Sequence, residues 1–352
     1  MADYNKIKQA NEHLQFVGGA IHKDCIYLIT ENYYEPKIHG KKYDVWNYPE
    51  KLIINMYIPK HREKCDEWCG EIYSGIKSLY PATCLKDVDF CSYLTDDSFV
   101  SQKVAKNGTN GVVWTENVIE LGKRVVMNMA VIDGIAYVCT TGGAIYRRIS
   151  DNNWEEITNK QTEKYFSESE KKSYFNNGFS VIGGFSANEI YTADEKGNFY
   201  SNKNGMWEKI EIPSSNKSEI TEIICSDGNV FINNEDRIIK GRNDQWEIII
   251  KDEISNIVKQ ITCFQGEIYF LDDAELKRLR NGELENIEFP ATIHFGFSMP
   301  SKTMVTSEDL LMIMDSDRVV LFDGNHWFNL FDKNKTEEEL RENGTFYDPR
   351  EK

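Results

Sequence analysis

The 352 residues carry 41 Lys and Arg against 57 Asp and Glu, a formal net charge of −16, with 40% hydrophobic and 12% aromatic residues. That anionic excess opposes binding to phosphate backbones and anionic membranes, so the partner expected from charge is a basic protein, with no nucleic acid and no membrane. The opening stretch MADYNKIKQANEHL has no apolar core and no long apolar run follows it, so the sequence predicts neither a signal peptide nor a membrane span and places the protein in the cytoplasm.

In chain order, the sequence reads as seven units of short strands divided by Gly, Asn and Asp turns. The first is expected over 14–58 and contains QFVGGAIHKDCIYLIT; its Val-Gly-Gly is matched by Val-Ile-Gly-Gly at 181–184, where glycine permits close approach of crowded strands. ENYYEPKIHGKK at 31–42 is too long for a hairpin turn and reads as an insertion. A second insertion is expected over 59–87, with a helix from about His61 through Tyr73; a divergent extra unit in that stretch is the alternative. Units at 88–121 and 125–158 follow, then a third insertion at 159–178, charged and bearing Tyr165 and Phe166. The remaining units are expected at 179–212, 219–250, 257–289 and 303–331. A charged tail at 332–352 has a short helix in prospect near its start but reads as a solvated, frayed end.

Two markers recur through these units. The second strand carries an aromatic pair partner at Tyr27, Phe99, Tyr137, Tyr191, Phe231 and Tyr269, with Met312 in the last unit. The fourth strand opens on Trp after a polar turn, at Trp154, Trp207, Trp246 and Trp327, with Leu284 in that place in the sixth unit. Four-stranded units repeating about every forty residues predict an all-β fold: a single β-propeller of four-stranded antiparallel blades, seven in number, with the aromatics buried between neighbouring blades. One such ring uses nearly the whole chain as one domain.

The strand-turn-strand-Trp rhythm resembles kelch, WD-repeat and Asp-box propellers. The turn before Trp is most similar to an Asp-box at Ser150, Asp151 and Trp154, while the Gly-His and Trp-Asp pairs of the WD repeat and the paired glycines of kelch blades are missing. What the resemblance implies is the fold alone, because this turn stabilises unrelated propellers.

No G-x-S-x-G, G-x-x-x-x-G-K or H-E-x-x-H pattern occurs, so the sequence predicts no enzyme and no cofactor. Cys65, Cys69, Cys84 and His61 lie near one another in sequence but without a Cys-x-x-Cys or close Cys-His pair, and no metal site is expected. Cys25, Cys91, Cys139, Cys225 and Cys263 fall in predicted strands and are expected as free, buried thiols.

In a meander blade, the turn between strands two and three and the connections to the next blade share one face. All three insertions sort to that face. Its turns are acidic in most units, through Glu31; Asp194 and Glu195; Glu235 and Asp236; Asp272, Asp273 and Glu275; and Asp315 and Asp317, with Lys106, Gly142 and Gly143 as the exceptions. Opposite-face turns such as NKNG and RNDQ carry Lys and Arg. The expected protein-binding surface therefore comprises these acids together with Tyr33, Tyr34, Trp68, Tyr165 and Phe166, aromatics being common interface anchors. Replacing the acidic turn residues is expected to cost little stability. Acidic, cytosolic and without chemistry of its own, the chain resembles in general character the immunity proteins that block bacterial toxins. That resemblance implies an inhibitor, monomeric when unbound, with a cognate toxin as partner. A carbohydrate-binding or hydrolytic propeller, and an assembly scaffold, are the alternatives.

Overall fold

The computed structural model describes residues 14–22, 25–32, 51–57, 69–73, 79–82, 90–95, 99–106, 109–117, 126–150, 153–158, 178–213, 218–234, 237–251, 260–272, 275–291, 293, 303–307 and 309–342. The fold is an all-β propeller of four-stranded antiparallel blades, each built from four consecutive strands paired in order. The first sheet is β1 (Leu14–His22), β2 (Cys25–Asn32), β3 (Lys51–Tyr57) and β4 (Cys69–Tyr73). The second is β5 (Leu79–Ala82), β6 (Phe90–Thr95), β7 (Phe99–Lys106) and β8 (Thr109–Asn117). Then follow β9 (Val126–Ile132), β10 (Ile135–Thr140), β11 (Ile145–Ser150) and β12 (Asn153–Glu156), and next β13 (Phe179–Ser186), β14 (Glu189–Asp194), β15 (Phe199–Lys203) and β16 (Met206–Ile210). The fifth sheet is β17 (Glu222–Ser226), β18 (Asn229–Asn234), β19 (Arg237–Arg242) and β20 (Gln245–Lys251), and the sixth is β21 (Gln260–Phe264), β22 (Glu267–Leu271), β23 (Leu276–Arg280) and β24 (Glu283–Ile287). The last is β25 (Thr303–Thr306), β26 (Leu311–Met314), β27 (Arg318–Phe322) and β28 (Trp327–Asp332), followed by helix α1 (Glu337–Glu342). Five blades, β9 to β28, are described down to their side chains rather than the expected seven. The two sheets before them are described chiefly as backbone.

The chain forms two compact units. In one, Ser78–Val104 with Val112–Gly266, the first strands β5, β9, β13, β17 and β21 lie successively side by side, as the inner strands of adjoining blades do. Gly183 and Gly184 make this approach possible: a Cβ on Gly183 would stand 2.7 Å from the Ile223 carbonyl oxygen of the next blade. In the other unit, Met1–Lys77 with Ala105–Gly111 and Glu267–Lys352, β1 lies beside β25.

Aromatic burial follows the repeat where side chains are described. Tyr137, Tyr191, Phe231 and Tyr269 each occupy the third position of a second strand and are buried. Tyr137, Ile145, Tyr200 and Trp207 belong to one core cluster joining the third and fourth blades, while Tyr191, Val230 and Ile239 belong to another joining the fourth and fifth. The Trp207 indole donates to the Ile157 carbonyl of the preceding blade at 3.2 Å, and Trp246 meets Phe199 edge-on at 5.3 Å. Two-residue turns at Asp133-Gly134, Asn204-Gly205, Asp227-Gly228, Gln265-Gly266 and Asn281-Gly282 have positive φ at both positions, the conformation whose twist matches a tight hairpin.

The strand assignments differ from expectation in the first third of the chain. Cys69–Tyr73 is a strand, not the end of a helix, and Leu79–Ala82 opens the second sheet, so 59–87 is not one insertion and the second unit begins before residue 88. Pro81 suits this first strand, because a strand bonded along one edge tolerates a missing N–H. Phe99 consequently begins the third strand of its sheet rather than occupying the second-strand position, and Trp114 falls in the fourth strand, β8. The tail also departs from a frayed end: α1 forms and its Leu340 is wholly buried.

Cys139, Cys225 and Cys263 are free thiols. Burial raises the Cys139 thiol far above its ordinary range and pushes Cys225 up to about 12, which removes the reactive thiolate. The melting temperature is accordingly expected to be the same with and without reductant; a reductant-dependent loss of several degrees would show that a structural disulfide had been missed.

Candidate functional site

At the end of each blade where strands two and three join, the second strand of most blades ends on, or is followed at once by, an Asp or Asn. Asp194 is the best-described case. Its backbone N–H donates to the Asn198 carbonyl at 3.0 Å. One carboxylate oxygen accepts the backbone N–H groups of Lys196 at 3.0 Å and Asn198 at 2.9 Å, and the other accepts the Asn198 amide at 2.7 Å and the Tyr200 hydroxyl at 3.0 Å. Asp315 accepts the N–H groups of Asp317 and Arg318, both at 2.8 Å. Asp272 accepts that of Glu275 at 2.6 Å, with Lys277 3.5 Å from its other oxygen. All three carboxylates are buried, as is Asn234 at the end of β18. These residues satisfy turn amides that the strand ladder leaves over, so this acidity is made first by the fold.

The residues beside them differ. Glu195 is half-buried, and Asp317 keeps 47% of its side chain exposed, although Lys333 reaches it at 3.2 Å. Of the expected surface, then, Asp194, Asp272 and Asp315 face inward, while Glu195 and Asp317 remain accessible. Tyr33, Tyr34, Trp68, Tyr165, Phe166, Glu235, Asp236 and Asp273 lie outside the described residues. Two described basic residues of the opposite blade ends, Arg242 and Lys203, are engaged internally. Arg242 pairs with Glu189 at 2.5 Å and 2.9 Å and lies 4.4 Å over the Phe185 ring, and Lys203 donates to the Asn243 side chain at 3.1 Å. The Arg242 hydrogen bonds hold Glu189 below the ordinary carboxylate range. The charge contrast between blade ends is thus partly an internal pairing pattern that composition alone did not reveal.

Glu222 is the residue that sequence reading passed over. It opens the inner strand β17, and its carboxylate accepts the Ile261 N–H from the inner strand of the next blade at 2.5 Å and the Asn233 amide at 3.5 Å. Part of the residue reaches solvent, yet protein surrounds the carboxyl, and this burial pushes its pKa up to about 8 against the hydrogen bonds from Ile261, Asn233 and Gln260. An unfolded-state Glu titrates near 4.3. The native state therefore holds a proton that the unfolded state has released, and its relative stability falls as pH rises from about 4.5 to 8. Glu222→Gln, which keeps an acceptor for Ile261, is expected to match the parent at pH 4.5 and exceed it in stability above pH 8. A difference that stays constant over this window in denaturant titrations would rule the account out. No sequence motif marks Glu222; a lone Glu ahead of Ile-Ile-Cys reads as a solvated strand end.

Among the described residues no group of three or more His, Cys, Asp or Glu is arranged to hold a metal ion, and no helix is long and apolar enough to cross a membrane.

No family model matches the chain. Over 210 residues it is 28% identical to the immune protein Tsi7 of Pseudomonas aeruginosa, a match covering 58% of this chain and 64% of that protein, so the chain spans less than two thirds of the relative's length. Among solved structures, it is similar to YCF48 from Cyanidioschyzon merolae, with a TM-score of 0.57 and 10% identity over 92% of this chain and 97% of that one. It is also similar to the β-propeller domain of the Trilobed protease from Pyrococcus furiosus, with a TM-score of 0.54 and 11% identity over 92% of this chain and 97% of that one. A third likeness is to Pyrococcus horikoshii acylaminoacyl peptidase, with a TM-score of 0.56 and 12% identity over 93% of this chain and 54% of that one. At such identities the structural likenesses establish the propeller fold and nothing about chemistry, while the sequence match is to an immune protein.

Proposed function

We propose that the protein is a non-catalytic, seven-bladed binding propeller that neutralises a basic protein toxin in the cytoplasm, acting as a monomer until the toxin arrives. The observation that carries this reading is the similarity to an immune protein over 210 residues. The net charge of −16 supports a basic partner. Docking is assigned to the blade ends that bear the insertions. There Glu195, Glu235, Asp236, Asp273 and Asp317 steer association, and Tyr33, Tyr34, Tyr165 and Phe166 anchor the formed complex. The buried Asp194, Asp272 and Asp315 hold the turns that present them.

The test is to co-express the chain with the products of the neighbouring genes, ask which loses its toxicity, and measure association with that protein as salt is raised. The on-rate is expected to fall about tenfold between roughly 0.05 and 0.5 M salt. Charge reversal at Glu195 and Asp317 is expected to slow it further at low salt, and reversal at Asp133, Asp227 and Asp309 to leave it unchanged. Loss of binding from the second set and not the first would place the partner on the other blade ends.

A further inference from the structure

Each sheet of this propeller is completed by four consecutive strands. Among the described residues, no strand from one end of the chain finishes the blade at the other end, so the described join between the first and last blades has no shared sheet to hold it. The described residues of the join meet in several ways. The inner strand β1 runs beside β25, and the Phe16 N–H donates to the Ser316 carbonyl at 3.1 Å. Phe16 meets Phe331 edge-on with ring centroids 5.4 Å apart. Leu340 of α1, wholly buried, lies in one cluster with Phe16, Ile26 and Leu28 of the first blade and with Val319, Leu321 and Phe331 of the last.

The segment leading to Leu340 is fixed at every step. Asp332, buried, pairs with Arg318 at 3.1 Å and accepts the Asn334 N–H at 2.9 Å. The Lys333 N–H donates to the Asp317 carbonyl at 3.0 Å. Thr336 and Glu339 form a reciprocal capping box: the Thr336 N–H donates to Glu339 at 2.6 Å and the Glu339 N–H to the Thr336 hydroxyl at 3.2 Å. Arg341 pairs with Glu337 at 3.0 Å. A helix of six residues is far below the length at which helices persist alone in water. Its order therefore depends on seating Leu340, and the seating of Leu340 depends on both blades being in place.

We propose that α1 is the clasp that closes the propeller, holding the first blade against the last in place of strand exchange, and that this join opens when the helix undocks. The proposal is independent of what the protein binds.

Hydrogen exchange read by mass spectrometry on the full chain tests it. Leu340→Ala is expected to speed exchange at least about thirtyfold in β1 and β25 to β28, the lower bound for emptying a buried Leu site, while leaving β13 to β16 unchanged. Thr336→Ala, which removes the cap without touching the core, is expected to give the same spatial pattern at about fivefold, and it carries the test if the Leu340 variant does not fold. Equal acceleration in all blades would make Leu340 an ordinary core residue and overturn the proposal. So would unchanged exchange in β1.

Discussion

Tyr191→Ala is expected to destabilise the protein by about 3–5 kcal/mol, the range for emptying a buried aromatic site. Tyr191 is wholly buried, stacks on Phe199 at 5.7 Å with the rings nearly parallel, and shares a cluster with Val230 and Ile239 of the next blade. Its loss therefore opens the packing between two blades rather than within one. The hydroxyl adds a separate contribution: it donates to Glu189 at 2.7 Å, the carboxylate that also holds Arg242. Tyr191→Phe is accordingly expected to cost about 1 kcal/mol, below the usual range for a hydrogen bond to a charged acceptor because Glu189 is partly exposed. Tyr137 supplies the contrast. Its ring is as deeply buried, but its hydroxyl has no carboxylate acceptor like Glu189: the group beside it is Arg147, which is already paired with Glu155 at 2.6 Å. Tyr137→Phe is expected to be neutral or slightly stabilising. Denaturant titration of the three variants decides the matter: equal costs for the two Phe replacements would mean that the hydroxyls are not distinguished by Glu189.

The propeller was legible because its signals are local and repeated. An aromatic at the third position of a second strand, followed by a turn and a Trp, can be read without knowing what lies across the blade, and Tyr137, Tyr191, Phe231 and Tyr269 stand where that reading puts them. Where the repeat is interrupted the reading slipped by a strand. With 59–87 read as an insertion, Phe99 aligns with the second strands, although it begins β7, the third strand. The error follows from two strands, Cys69–Tyr73 and Leu79–Ala82, too short to show alternation and preceded by charges that fit a helix. The candidate surface was less legible for a different reason. Asp194, Asp272 and Asp315 look identical in sequence to solvated turn acids, and only the three-dimensional position of their carboxylates shows that they serve the turn. Glu222 and Leu340 carry no sequence signal, because each is defined by a neighbour far away in the chain: Ile261 for one, Phe16 for the other.

Asp194→Ala is expected to cost about 3–4 kcal/mol, contrary to the small cost expected for an acidic turn. The carboxylate accepts two backbone N–H groups, a side-chain amide and the buried Tyr200 hydroxyl. Hydrogen bonds to a charged group contribute about 1.5–3 kcal/mol each and do not sum, and deleting the acceptor leaves buried donors without a partner. Asp194→Asn keeps one acceptor oxygen but turns an amide toward donors, so an intermediate loss of about 2 kcal/mol is expected. Glu195→Lys, one residue further on and half-exposed, is expected to change stability by less than about 0.5 kcal/mol. These differences decide how any binding experiment on this surface is read. Weaker binding by Asp194→Ala reports a disordered turn and carries no information about steering, whereas a slower on-rate in Glu195→Lys with unchanged melting reports charge. If Asp194→Ala instead melts with the parent, the carboxylate is not the turn's organiser, and Asp194 returns to the set of charges a partner can meet.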